Sequence, residues 1–379
     1  MYTSRRILFA LLHCGLHPDN RGMMESFAPL FGTDAPVPDW KTIYKLAAKQ
    51  GVLAIAWDGL LRLCDEGIVD AEHKPDKGLE LQWAYNVCAI ESRYRKQRRA
   101  VFRLAEFYAG HNIDMMILKG YGLSLCYPVP EHRPCGDIDI WLFGRQQEGD
   151  DLLRREKGVK INEDKHHHTI FVTDGIMVEN HYDFINVYAH MSNHKFEEIL
   201  QSKVRSGETE SIEEGGVKVV LPPVDFNALF LLRHTAGHFA ATGIGLRHIV
   251  DWAVFVGRYG EQIDWPWLRE VAREYNMHIF LNSLNAMAVE CTGADASLLA
   301  EDDDKELTAR ILDDIISSEF GEPERNKGAL LKYVLKLRRW WANRWKRRIV
   351  YREGLVNTFI VQLYAYMRKP NLHKRERKS

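Results

Sequence analysis

Apolar residues recur every three or four positions through WKTIYKLAAKQGVLAIAWDGLLRL and RYRKQRRAVFRLAEFYAGHNID. That spacing turns one face of an α-helix toward a core. Residues 1–110 are therefore predicted to be helical, with Gly51 separating two short helices and Gly110 capping the last. The pattern then shortens. Ile113–Leu118 (IDMMIL) is a compact apolar run that ends at Lys119-Gly120. YGLSLCY makes about two helical turns before Pro128 and Pro130 stop it, and DIDIWLF follows as a strand. RQQEGDDLLRREKG is a polar helix. HHHTIFV and IMVENHYDF are strand-like, and the Asp174-Gly175 step between them is a strong hairpin signal. Past Pro222-Pro223 helical periodicity returns and persists. The predicted fold is α+β: a helical N-terminal region (1–110), a small mixed-sheet α/β core (111–220) and a helical C-terminal domain (221–379).

Composition adds limits. The chain has 379 residues, long for one core, with 46% hydrophobic and 27% charged residues, ordinary for a folded soluble protein. A net charge of −1 gives no global field for polyanions. Charge is local instead: Glu301–Asp304 form an acidic loop, and the segment from Lys332 onward is strongly basic. In that tail LRRWWANRWKRRIVYRE mixes arginine with aromatics, a pattern for an anionic partner such as RNA or a membrane surface, or for a helix packed on its aromatic stripe. Six scattered cysteines without a C-x-x-C pair predict free thiols, hence a reducing, cytoplasmic setting. The N-terminal MYTSRRILFALLHCGLHPD is expected to be an amphipathic helix rather than a signal peptide, and no stretch has the length of a transmembrane span.

The candidate chemistry begins with Asp137 and Asp139 in GDIDIWL. Residues two apart in a strand share a face, so both carboxylates project together while Ile138 and Ile140 enter the core. Adjacent carboxylates repel unless a positive group lies between them. Oxygen-only ligands suit Mg²⁺ or Mn²⁺. Glu179 in MVENH supplies a third carboxylate, with His181 on the same face as a base or substrate contact, and three such acids can hold metals for displacement at phosphorus. Upstream, the strand-to-helix junction at Lys119-Gly120 offers backbone N–H groups and a full positive charge to phosphate. Arg133, just before the carboxylate strand, has the fork to pair with phosphate oxygens.

Taken together, LKG…YP…R…GDIDI…VENH followed by H…H…GLR…D resembles the uncharacterised bacterial nucleotidyltransferase family within the DNA polymerase β-like superfamily. The resemblance spans most of the chain. It implies Gly120 at a triphosphate cradle and Asp137, Asp139 and Glu179 as catalytic metal ligands. It also implies an NTP donor, ATP or GTP; it names no acceptor, and a protein, RNA or small molecule all stay open. Tyr121 stands where a serine is usual, which leaves Ser124 to supply the hydroxyl.

In RHTAGHFAATGIGLRHIVD, His234 and His238 share one helix face, as do Arg247 and Asp251. The face is either an interhelical polar network or, as the resemblance implies, a wall closing over nucleotide or acceptor. His166-His167-His168 reads as a solvated strand start, because a strand separates the directions of the three side chains and no cysteine or carboxylate completes a tetrahedral zinc set. Two other functions fit the same acids: an Asp-x-Asp glycosyltransferase, which wants a Rossmann-like half where this chain is helical, and a non-catalytic binding protein on the same fold.

Overall fold

Asp39 and Asp76 show how the helices of the first hundred residues are set. The Asp39 carboxylate accepts from the Thr42 N–H at 3.1 Å and starts one helix, and Asp76 accepts from the Leu79 N–H at 3.0 Å and starts another. The computed structural model describes residues 2–32, 35–165, 167–299, 304–317, 338, 341–354 and 357. His166, most of the acidic loop and most of the basic tail lie outside the described residues. The N-terminal helices are α1 (Tyr2–Leu16), α2 (Arg21–Ser26), α3 (Trp40–Gln50), α4 (Leu53–Asp65) and α5 (Lys77–Ala109). Gly51 ends α3 at φ 71°, a left-handed cap. Gly110 caps α5 in the right-handed region at φ −60°, and Asn112 takes the left-handed turn instead, at φ 57°. Gly59 has a packing reason: a Cβ there would lie 1.9 Å from the Leu11 carbonyl oxygen, so α1 and α4 touch backbone to backbone.

Six strands follow: β1 (Met116–Leu118), β2 (Ile138–Trp141), β3 (His168–Thr173), β4 (Ile176–His181), β5 (Ser211–Glu214) and β6 (Val217–Val220). They form one mixed sheet in the order β3-β4-β2-β1-β6-β5. β1 is antiparallel to β2, β2 parallel to β4, and β3 antiparallel to β4. The Asp174-Gly175 hairpin closes with both residues at positive φ, 51° and 69°, the geometry of a two-residue turn that matches strand twist. A second hairpin, β5–β6, turns at Gly215-Gly216 and was not anticipated from the sequence. Helices α6 (Gly120–Ser124) and α7 (Gln146–Lys157) connect the early strands, and α8 (Asn193–Ser206) precedes β5. α6 is five residues long, shorter than the two turns expected.

The helices after the sheet are α9 (Val224–Ala241), α10 (Leu246–Tyr259), α11 (Trp265–Glu274), α12 (His278–Thr292), α13 (Lys305–Ser317) and α14 (Arg344–Arg348). They share one apolar core with the N-terminal helices, including Leu8, Leu12, Ile55, Phe226, Leu284 and Ile311. The two faces of the sheet belong to different cores. Ile117, Ile138, Ile140 and Val178 pack with Val101, Leu104 and Tyr108 of α5 and Leu153 of α7. Met116, Leu118, Trp141 and Phe184 join the helical core. Period-two alternation therefore puts Asp139, Glu179 and His181 on the face that looks toward α9. No described helix is long and apolar enough to cross a membrane.

Candidate active site

Register aligns the acids. Asp139 is the Cα partner of Glu179 across the parallel β2–β4 pair and of Leu118 across β1–β2. Asp137 precedes β2 by one residue, and its main-chain carbonyl accepts from the buried Gln97 amide of α5 at 2.7 Å. This contact fixes the approach of the carboxylate strand. At the end of β1 the backbone is strained: Lys119 has φ 44° and ψ −140°, a region that costs a non-glycine residue about 1–3 kcal/mol. Gly120 follows at φ 31°, and a Cβ there would sit 3.5 Å from the Asp137 carbonyl oxygen. Such strain is tolerated only where the surroundings hold it, and here it aims the Lys119 side chain at the acids.

Lys119 Nζ lies 2.9 Å from Asp139 Oδ1 and 5.4 Å from the centre of the Phe230 ring on α9. His181 Nε2 is 3.0 Å from the same Asp139 oxygen and 3.6 Å from Glu179 Oε2. Its Nδ1 faces the Asp183 carbonyl at 3.2 Å. Both ring nitrogens thus point at acceptors, an arrangement that an imidazolium satisfies. Burial opposes that charge, but Asp139 and Glu179 overcome it and raise the His181 pKa. Burial likewise works against the Asp139 carboxylate, yet Lys119 and His181 hold its pKa well below the usual range. Asp137 goes the other way: burial first, then the charges of Asp139 and Glu179, push its pKa up. Asp139 and Glu179 meet at His181 Nε2, and Asp137 feels the charge of both, with Lys119 offsetting only part of its burial and repulsion.

The opposite wall comes from α9. His234 and His238 have ring centres 4.4 Å apart, and both feel Lys119 and Asp139. Burial, then Lys119, keeps the His234 pKa well below its ordinary value. His234 and His238 thus sit near the Lys119–Asp139 pair, on the helix whose Phe230 packs against Lys119.

Other predicted contacts are engaged elsewhere. Ser124 is fully buried, and its hydroxyl donates to the Tyr121 carbonyl at 2.5 Å; a short helix satisfies its own carbonyl this way, so this hydroxyl is not presented to phosphate. Arg133, expected to meet phosphate oxygens, instead donates from Nε and Nη2 to Asp251 at 2.7 and 2.9 Å, both residues buried. Tyr127 donates its hydroxyl to the same carboxylate at 2.5 Å. Asp251 is thus a structural anchor between α10 and the loop before β2, not a nucleotide contact. Arg247 donates to the Pro134 carbonyl at 3.3 Å and braces that loop as well.

His168 corrects the solvated reading of the histidine run. It is 5% exposed and is the cross-strand partner of His181. Its Nε2 is 3.4 Å from Glu179 Oε1, while neither ring nitrogen has a hydrogen-bond partner among the described residues. A carboxylate does join the histidines, from a neighbouring strand: His168, Glu179 and His181 each place one ligand atom within 4.8 Å of the others, three of the four positions of a tetrahedral set. The signal was the alternation in HTIFVT and MVENH, which puts His168, Glu179 and His181 on one face once the hairpin register is counted from Asp174-Gly175.

One acid just before a central strand and one on it, a third on the neighbouring strand and a strand–glycine–helix junction beside them make the sheet a nucleotidyltransferase-type core. The chain belongs to the uncharacterised nucleotidyltransferase family, whose model matches residues 36–293, a span that includes every site residue described above. Among solved structures, the crystal structure of an antigenic nucleotidyltransferase-like protein from Paracoccidioides brasiliensis is similar at 14% identity and a TM-score of 0.34. That match covers 53% of this chain and 96% of the other. A search of curated proteins finds no match.

Proposed function

We propose that this protein transfers a nucleoside monophosphate from a nucleoside triphosphate to a hydroxyl or other nucleophile on an acceptor. The grouping of Asp139, Glu179, His181 and Lys119, with Asp137 close enough to feel both acids, carries this reading. The donor set fits Mg²⁺ or Mn²⁺: carboxylate oxygens are hard ligands, and burial with the charges of Asp139 and Glu179 disfavours the Asp137 carboxylate more than Lys119 favours it. Asp137, Asp139 and Glu179 would hold the metal, which when bound neutralises phosphate charge and lowers the pKa of the attacking group.

The chain's own groups supply the rest. Lys119 is the counter-charge: it pairs with Asp139, and triphosphate oxygens would offer it a second acceptor. His181 orients Asp139 and Glu179 through its shared Nε2 contact. His234 and His238 form the wall against which nucleotide or acceptor closes. Six free thiols fit a reducing cytoplasm.

The test is direct. Purified full-length protein is incubated with labelled NTPs and cell lysate, and the species that gains a nucleotide mass is identified. Asp137→Ala with Asp139→Ala is expected to abolish both labelling and Mg²⁺-dependent NTP binding. A double variant that binds metal and nucleotide as the unaltered chain does would overturn the assignment.

A further inference from the structure

His168 poses a question that nucleotidyl transfer on three carboxylates does not answer. An imidazole that is 5% exposed, with both ring nitrogens unpartnered among the described residues, is uncommon in a folded protein. Its Nε2 points at the Glu179 carboxylate, 3.4 Å away but misaligned for a hydrogen bond. His181 Nε2 approaches the other oxygen of the same carboxylate at 3.6 Å. The ligand atoms of all three residues lie within 4.8 Å of one another.

We infer that His168, Glu179 and His181 form a site for a transition-metal dication of the Zn²⁺ class, distinct in ligand chemistry from the Asp137–Asp139 position. Two imidazole nitrogens and one carboxylate oxygen are a borderline donor set, which favours first-row transition metals over Mg²⁺. Three protein ligands leave coordination positions open for water, substrate or a phosphate oxygen. The platform is rigid. His168 and His181 are register partners on β3 and β4, and Glu179 is two residues from His181 on the same face. The support expected of a metal-binding histidine is present on His181, whose Nδ1 meets the Asp183 carbonyl at 3.2 Å and turns Nε2 inward. A cation bound here would replace the proton that His181 shares between Asp139 and Glu179.

The inference rests on the proposed transfer reaction only in sharing Glu179. It specifies the ion on that side of the cleft as imidazole-bound, while Asp137 and Asp139 keep the oxygen-only position.

The experiment uses the full-length chain stripped of metal. Co²⁺ is titrated and followed by its visible d–d absorption, and Zn²⁺ by calorimetry with Mg²⁺ in large excess. One Zn²⁺ per chain is expected, undisplaced by Mg²⁺. Affinity should fall at least tenfold in His168→Gln and change less than threefold in Asp137→Asn. Equal affinity of His168→Gln and the unaltered chain, or loss equal to that of Asp137→Asn, overturns the site. Because His168 is buried, His168→Gln is checked by circular dichroism. X-ray absorption of the Zn²⁺-loaded unaltered chain gives a reading that needs no variant: imidazole scattering from two ligands is expected, and its absence refutes the site. Zn²⁺ held by imidazoles in a chain that transfers no nucleotide would sink the transfer reaction alone. Transfer supported by Mg²⁺ with no imidazole-bound metal would sink this inference alone.

Discussion

Lys119 Nζ and Asp139 Oδ1 lie 2.9 Å apart at the base of the cleft, with the two side chains 13% and 5% exposed. On the proposed function, this ion pair sits where the cation would bind. The ammonium repels a divalent ion and occupies one of its ligands, yet it attracts the phosphates of a nucleotide. Lys119→Met is therefore expected to move the two affinities in opposite directions. Binding of Mg²⁺ alone should tighten by about tenfold or more, roughly 1.4 kcal/mol, while NTP binding weakens. Calorimetric titration of each ligand checks both signs, and a variant that binds Mg²⁺ no better than the unaltered chain counts against the cation site on Asp139.

Asp137 stands in the opposite electrostatic position. Burial and the charges of Asp139 and Glu179 disfavour its carboxylate, so the folded state bears a penalty that a metal would relieve. Asp137→Asn removes the repulsion at nearly constant volume. The expected result is thermal stability equal to or above that of the unaltered chain without metal, with nucleotide transfer reduced by about 100-fold or more. A melting curve in chelator and a labelling assay measure the two effects. A clear loss of metal-free stability would show that the carboxylate has a structural partner.

Most of the site's strand-borne chemistry was legible because strand periodicity is local. Asp137 and Asp139 share a face by spacing alone, and the Asp174-Gly175 turn fixes which residues of β3 meet β4. What was not legible depends on packing between distant segments. Arg133 looked free because its partner, Asp251, lies more than a hundred residues away on α10. His168 looked solvated because its covering elements and its carboxylate are supplied by other parts of the chain. The β5–β6 hairpin is a different kind of miss, since SIEEGGVKVV carries a Gly-Gly step between short alternating runs and β6 then pairs with β1.

Arg133 and Asp251 allow structural and substrate-binding roles to be separated. Their two charge-assisted hydrogen bonds are buried, and Tyr127 completes the carboxylate. Removing one member strands the other charge, which typically costs about 3–5 kcal/mol. Arg133→Met and Asp251→Asn should each lose that much in urea unfolding. The double variant should recover a large part of it, since the amide still accepts from Tyr127 and no charge is left unpaired. Additive losses in the double-variant cycle would show that the two residues act independently.

Glu197 on α8 gives the fold a pH dependence whose sign can be worked out. Its carboxylate accepts from the Phe184 and Ile185 N–H groups at 3.1 Å and from the Gln201 amide at 2.8 Å. It thereby holds the loop just after β4, which carries the Asp183 carbonyl facing His181. Burial outweighs these hydrogen bonds and lifts its pKa from 4.5 to about 7. Between those values the folded chain keeps a proton that the unfolded chain has lost. The stability contribution is therefore full below about pH 4.5 and declines as pH rises toward 7, by about 3 kcal/mol in all. Glu197→Gln cannot titrate, so its stability relative to the unaltered chain should improve progressively from pH 5 to pH 8. Other titrating groups, such as the buried His190, whose pKa burial lowers to about 3, act on both proteins and cancel in the difference. Urea unfolding of the pair at each pH measures that difference, and a value independent of pH would mean that Glu197 is ionised in the folded protein throughout the range.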